Sequence, residues 1–273
     1  MKIFILTIFC LLILLYLFAI CPRLTKKKNM ARLHHTMFAH RGYHCADRLI
    51  PENSMAAFKA ALDHGYGIEL DIHLTRDGQI AVFHDDDLER ICHVSGKIES
   101  YTFEELQQFH LLNTSERIPL LSDVLTLVNG RVPLLIELKI PGRSLKLCQA
   151  AYTVLKDYKG VYLIQSFHTL GILWFRLHAP HVLRGQLSSN LTASDPDKPW
   201  FLTFPVRHLL SNWIARPDFI SYKMKDLPNL SVSLCRHLFG ITVAVWTLRT
   251  ESALKQGLKS YHIQIFEKKA ENY

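Results

Sequence analysis

The residues best placed to do chemistry in this chain are polar side chains that end or interrupt apolar segments. His40-Arg41 closes the apolar stretch that starts at Met37, and His84 closes another that starts near Gln79. Glu69 and Asp71 interrupt Ile68-Glu69-Leu70-Asp71-Ile72, and Glu137 and Lys139 interrupt Ile136-Glu137-Leu138-Lys139-Ile140. Residues i and i+2 of a strand share one face, so each pair points together. Carboxylates buried side by side repel one another and desolvate badly unless something compensates. A hard divalent cation with oxygen ligands is the simplest compensation, and Mg2+ and Ca2+ both fit an all-oxygen set. A single buried Glu is more often salt-bridged, but two such pairs on separate strands favour the metal. Imidazole suits acid and base work because its pKa lies near neutrality. Other histidines, among them His34, His35, His93 and His178, read as structural or exposed. Asp85-Asp86-Asp87 reads as a solvated turn. Trp246 reads equally as core or as pocket lining.

These residues need a scaffold that brings strand ends together. Strands are expected at Met37–Gly42, Gly67–Leu74, Gln79–His84, Pro133–Ile140, Tyr162–Phe167, Leu183–Leu187, Phe219–Met224, Thr242–Leu248 and Tyr261–Phe266. Helical patterns alternate with them at Pro51–His64, Ser122–Val128, Ser144–Tyr158, Leu170–Leu177, Leu230–Phe239 and Glu251–Leu258. The alternation argues for the α/β class with parallel strands, and about eight repeats in this length favour a (β/α)8 TIM barrel. In a barrel the strand ends feed one mouth, where active sites form. Neither a G-x-G-x-x-G nor a G-x-x-x-x-G-K-[ST] motif occurs, so a nucleotide-binding sheet loses its usual support. Stretches 85–118 and 189–217 are expected to be irregular insertions, the second rich in Trp, Phe and Leu.

The N-terminus is different in kind. Ile3 to Ile20 is apolar apart from Thr7 and Tyr16 and carries no polar stripe, so it reads as a membrane-spanning helix. A cleaved signal peptide is the competing reading, but Ala19-Ile20-Cys21-Pro22 is a poor cleavage site. The chain thus divides into an anchor (1–22), a basic juxtamembrane linker (23–35) and a barrel (36–273). Arg23, Lys26, Lys27, Lys28 and Arg32 outweigh Lys2 across the span. That bias favours a single-pass cell-membrane protein with its body in the cytoplasm and the basic stretch on anionic headgroups. Residues 1–35 hold six of the 32 basic side chains and no acid, which leaves 26 against 24 acids in the rest. The body is therefore almost neutral, and a nucleic-acid footprint is not expected. Hydrophobic residues at 49% and charged residues at 21% exclude disorder. The six cysteines lack CxxC spacing and read as reduced thiols.

Taken in order, Ala39-His40-Arg41-Gly42, Pro51-Glu52-Asn53-Ser54, Glu69-Leu70-Asp71, Thr75-Arg76-Asp77-Gly78 and Val82-Phe83-His84-Asp85 resemble the glycerophosphodiester phosphodiesterase family. Glu137-Leu138-Lys139, Gln165-Ser166-Phe167, Arg184-Gly185-Gln186 and Val245-Trp246-Thr247 continue the series, and the resemblance covers about residues 36–267. It is nearest to bacterial membrane-anchored members. It implies a (β/α)8 barrel that hydrolyses glycerophosphodiesters to glycerol 3-phosphate and an alcohol. Carried over by motif, Glu69, Asp71 and Glu137 bind one divalent cation, and His40 and His84 are the acid/base pair. Arg41 and Lys139 hold phosphate oxygens, Trp246 lines the glycerol pocket, and Asn53 contacts the site. The resemblance further implies that the glycerol hydroxyl attacks first, giving a cyclic phosphate that water opens. One departure stands at Ile265-Phe266-Glu267-Lys268, where many members carry a Thr-Asp-x-Pro-like segment. It is expected to touch none of the residues just named.

Three functions follow as expectations. The first is a phosphodiesterase for water-soluble glycerophosphodiesters. The second is a lysophospholipase D acting on membrane lysophospholipids, for which the anchor and Trp200, Phe201, Phe204 and Trp213 speak, although those aromatics read more readily as a cap on the barrel. The third is a non-catalytic, membrane-tethered phosphate-binding barrel, against which the intact set of histidines and acids argues.

Overall fold

A computed structural model describes residues 1–45, 49–191 and 199–267, so Lys268 and part of the 189–217 stretch lie outside the description. Eight parallel strands close into a barrel. These are β1 (Met37–Ala39), β2 (Gly67–Leu74), β4 (Leu134–Leu138), β5 (Tyr162–Ser166), β6 (Leu183–Ser188), β7 (Phe219–Lys223), β8 (Thr242–Leu248) and β9 (Ile263–Phe266). They lie in the order β1-β9-β8-β7-β6-β5-β4-β2, and β1 pairs with β2 to close the ring. The remaining strand, β3 (Ile80–Val82), is not a barrel stave. It pairs antiparallel with the last residues of β2, along the edge that short β1 leaves open after Ala39.

Each stave buries both faces, which is why the strands read as nearly continuous apolar runs. In β2, Ile68, Leu70 and Ile72 pack outward against the helices, while Glu69 and Asp71 take the inward positions. In β4, Leu134, Ile136 and Leu138 face outward, and Leu135 and Glu137 inward. The barrel interior is apolar near its floor, where Phe38, Leu135, Leu163, Phe219 and Ile263 meet. Gly185 is needed in that interior, because a Cβ there would lie 2.3 Å from the Phe219 ring. Short helix α2 (Lys27–Ala31) follows α1 (Lys2–Ile20) and closes the floor with Met30, which is 1% exposed, together with Leu33.

The outer helices that the pattern predicted are present. They are α3 (Met55–Asp63), α6 (Leu121–Val128), α7 (Lys146–Leu155), α8 (Thr169–His178), α11 (Leu230–His237) and α12 (Glu251–Ser260). Helix α3 starts later than its pattern, because Ser54 caps it by accepting from Ala57 N at 3.1 Å. That leaves Asn53 outside the helix with φ +52°, free to turn toward β2. Among the described residues both insertions contain short helices where irregular chain was expected. The first contains α4 (Glu89–Cys92) and α5 (Phe103–Leu106) and packs its own small core around Phe83, Leu88, Ile91 and Leu106. The second contains α9 (Trp200–Arg207) and α10 (Asn212–Ala215). Their apolar residues follow no long helical period, so their shortness hides them from a pattern search.

Candidate active site

The mouth of the barrel gathers the expected residues. His40 and Arg41 leave β1, Glu69 and Asp71 lie on β2, Glu137 ends β4 with Lys139 just beyond, and Trp246 lies on β8. His84 arrives differently, from the end of the β2–β3 hairpin, and its carbonyl accepts from His73 Nε2 at 3.2 Å. A cavity of about 360 Å³ is lined by His40, Arg41, Glu69, His84, Glu137, Lys139 and Trp246. Asn53 does not line it. It donates from Nδ2 to Asp71 Oδ2 at 3.0 Å and so orients a carboxylate from behind.

Glu69, Asp71 and Glu137 are 1%, 0% and 7% exposed, and one oxygen from each lies within 4.8 Å of the others. Burial, with Asp71 and Glu137 as neighbours, pushes the Glu69 carboxyl well above its usual range. Burial also raises Glu137, against the pull of Lys139. Asp71 goes the other way. Burial alone would raise it, but Lys139, His84 and Arg41 hold it well below the usual carboxylate range. Lys139 Nζ sits 3.0 Å from Asp71 Oδ1 and 2.6 Å from Glu137 Oε1. Two carboxyls raised beside a third is the behaviour of a carboxylate set short of positive charge. A divalent cation at about 2.0–2.6 Å from each oxygen needs oxygens no more than about 5 Å apart. The three residues therefore fit a hard cation in both chemistry and spacing.

Each histidine is backed by a carboxylate. His40 Nδ1 lies 2.7 Å from Glu267 Oε1, and its Nε2 lies on the side of Glu69, 4.0 Å from Oε2. Burial lowers the His40 pKa, partly offset by Glu267, so the ring is neutral near pH 7. For Glu267 burial would raise the carboxyl, but its bonds from His40 and Arg249 keep it well below the usual range. His84 Nδ1 lies 2.6 Å from Asp85 Oδ1. Asp85 in turn accepts from Arg90 Nε at 2.6 Å, and Glu52 links Arg90 to Arg41 through bonds of 2.6 and 2.8 Å. Arg41 N also donates to Glu69 Oε2 at 3.0 Å. Gly42 permits this turn: it has φ +79°, and a Cβ on it would meet the Ala57 Cβ at 2.8 Å.

Two expectations change here. The departure at the chain's end does touch the site, because Glu267 is the partner of His40. Asp85 is not merely a solvated turn residue, because it holds His84. Asp85 adjoins His84 in sequence, and that adjacency was its available signal, whereas Glu267 follows the last strand, 227 residues from His40. Gln165 was also missed as a site residue: it donates to Glu69 Oε1 at 3.3 Å from the facing wall of β5. Trp246 packs edge-on against Phe167, with ring centroids 5.9 Å apart, and its Nε1 has no partner among the described residues.

Eight staves with their chemistry gathered at the C-terminal ends define a TIM-barrel enzyme. The comparisons make this specific: the model of the glycerophosphoryl diester phosphodiesterase family matches residues 40–266, and the chain belongs to that family. A glycerophosphodiester phosphodiesterase of Bacillus altitudinis is 36% identical over 186 residues, which is 63% of this chain and 73% of that protein. The lysophospholipase D GDPD1 of Rattus norvegicus is 27% identical over 270 residues, covering 86% of this chain and 83% of its own. Among solved structures, an Oleispira antarctica phosphodiesterase in complex with the product sn-glycerol-3-phosphate superposes with a TM-score of 0.70 at 24% identity, covering 86% of this chain and 94% of the other. That likeness is one of fold.

Proposed function

We propose that this protein hydrolyses glycerophosphodiesters to glycerol 3-phosphate and an alcohol. The observation that carries the reading is a pair of carboxylate-backed histidines that line one cavity with Glu69 and Glu137, two members of a buried three-carboxylate cluster. Glu69, Asp71 and Glu137 would hold one Mg2+ or Ca2+. When bound, the cation supplies neutralisation of the phosphodiester charge. Lys139 and Arg41 add fixed positive charge at the same wall. His40, its Nδ1–H donated to Glu267, keeps its Nε2 lone pair for the cavity and takes a proton from the attacking hydroxyl. His84, held by Asp85, gives its proton to the departing alcohol oxygen as the phosphorus–oxygen bond breaks, which leaves a cyclic phosphate. His84 then takes a proton from the water that adds to phosphorus, and His40 returns its proton to the glycerol oxygen released as the ring opens. Trp246 presents an apolar face to the glycerol moiety. Asn53 keeps Asp71 in register.

The protein would act as a single-pass membrane protein, with α1 as anchor and the body cytoplasmic by the charge bias around the span. Lysophospholipids form a second substrate reading, favoured by α1 and by the exposed aromatics of α9. Choline release from glycerophosphocholine and from lysophosphatidylcholine micelles, measured side by side on the detergent-purified full chain, separates the two. Turnover of the soluble diester alone supports the first reading. Turnover confined to micelles would replace it with the second.

A further inference from the structure

The catalytic mouth and the free end of α1 lie at the same end of the molecule. The C-terminal end of α1 is fastened at the floor. Arg23 N donates to Pro217 O at 2.9 Å, and the Arg23 guanidinium grips Asp218, at the foot of β7, at 2.6 and 3.1 Å. Just before that, Ile20 O accepts from Asn212 Nδ2 at 3.0 Å and from Cys235 Sγ at 3.3 Å. One turn earlier, Tyr16 Oη meets Ser231 Oγ at 2.9 Å. Ser231 lies in the first turn of α11, which starts at the mouth end of β7 and descends toward the floor. Followed toward its N-terminus, α1 therefore climbs beside α11 from floor to mouth. Residues 3–15, all exposed, continue past the rim.

Length turns this placement into a constraint. Residues 2–15 reach only about 21 Å at about 1.5 Å per residue, against about 30 Å of hydrocarbon. All 19 residues of α1 reach about 28 Å. A bilayer that takes in all of the helix that clears the barrel therefore comes down to the barrel's mouth.

The mouth is built for that contact. Helix α9 is tied to it, because Ser188 Oγ at the end of β6 donates to Val206 O at 2.8 Å and Tyr222 Oη near the end of β7 donates to Arg207 O at 3.1 Å. Its outer face is apolar: Trp200, Phe201, Leu202 and Phe204 are 69%, 59%, 59% and 42% exposed. Leu230, next to the Ser231 that meets α1, is 68% exposed. Leu202 also borders the groove that runs to His84 and Glu137. A cluster of this kind is unfavourable in water and favourable among lipid headgroups, where Trp and Phe gather.

We propose that α9 is an interfacial docking helix and that the barrel lies mouth-down on the bilayer spanned by α1. Trp200, Phe201, Leu202 and Phe204 seat among the headgroups, and diesters enter the site from the membrane surface. The basic stretch Lys26–Lys28 lies at the far end, facing away from that surface. The proposal rests on α1 staying in the chain as a span, and it deepens the substrate reading above.

The test uses the full chain reconstituted in phosphatidylcholine vesicles with plain or brominated acyl chains. The difference between wild type and Trp200→Phe isolates one of the four tryptophans. The expected result is loss of at least half of the Trp200 emission in brominated vesicles. The emission assigned by Trp174→Phe, on the outer helix α8, should stay unquenched. An alkaline wash run in parallel reports whether the chain spans. Unquenched Trp200 in protein that survives the wash overturns the docking surface while leaving the anchor intact. Protein that washes off overturns the anchor and the docking together. Glycerol 3-phosphate release, scored on the same vesicles, reports the catalytic reading separately.

Discussion

Replacing Glu267 by Gln should slow turnover while sparing the cation site. The wild-type contact is a 2.7 Å bond between His40 Nδ1 and a carboxylate held ionised by His40 and Arg249. A hydrogen bond to a charged partner contributes about 1.5–3 kcal/mol, and a neutral one about 0.5–1.5. Losing the charge but not the bond removes about 1–1.5 kcal/mol of support for the protonated ring that forms as His40 takes its proton. That corresponds to a fall in kcat of about 5–13-fold. The loss grows if the amide turns its NH2 toward Nδ1, because the proton then moves to Nε2 and blocks its lone pair. Glu267→Ala should be worse, since a ring that is 8% exposed loses its acceptor altogether. The assay is steady-state glycerol 3-phosphate release, paired with calorimetric titration of the cation. The reasoning is refuted if Glu267→Gln keeps kcat within about twofold of wild type. It is also refuted if cation affinity falls in step with kcat, because Glu267 would then be acting on the carboxylate cluster.

Three further outcomes are expected. His84→Ala should lose about 10²–10⁴-fold in turnover with cation affinity nearly unchanged, and equal loss of both would remove it from the acid role. Glu137→Gln should weaken calorimetric cation binding and activity together, and unaltered affinity would exclude it as a ligand. The third concerns stability at the floor, where His262 Nδ1 accepts from Val243 N at 3.0 Å and its ring faces His34 at 4.4 Å between centroids. Burial first, then His34, Arg236 and His35, bring the His262 pKa from 6.5 down to about 4. The folded chain keeps this ring neutral, so its stabilisation is whole above pH 6.5 and is lost as pH falls from there toward about 4. At about 1.36 kcal/mol per unit and with partial exposure discounted, about 1–2 kcal/mol is at stake. His262→Asn, which keeps an acceptor near Nδ1, should flatten the fall in Tm between pH 7 and 4.5, and an unchanged slope would place the sensitivity elsewhere.

What could be read from the sequence was what leaves a local trace. Glu69 and Asp71 stand out because they break an apolar strand at i and i+2, and Glu137 and Lys139 do the same in β4. Barrel topology followed from the alternation of such strands with amphipathic helices. The supports of the histidines left a weaker trace. Glu267 meets His40 across 227 residues of chain, so only the closing of the ring brings them together. Asp85 sat within reach of His84 but was masked by Asp86 and Asp87, which made the three look like a solvated turn. The path of α1 was illegible for a different reason. Its composition announces a span, but the turn-by-turn contacts of Tyr16, Ile20 and Arg23 with α11, α10 and the foot of β7 exist only in the folded body. Met30, which follows the basic Lys26–Lys28, is set into the barrel floor, a contact that composition does not announce.

The central claim is that one cation, held by Glu69, Asp71 and Glu137, and two backed histidines cleave a glycerophosphodiester at the mouth. Its most direct test is glycerol 3-phosphate release from glycerophosphocholine by the full chain, stripped with chelator and then given back Mg2+ or Ca2+. The account predicts no release after stripping and full release on return of one of the two ions. Release that persists in the stripped protein, or none with either ion in a folded chain that also ignores lysophosphatidylcholine, would contradict it.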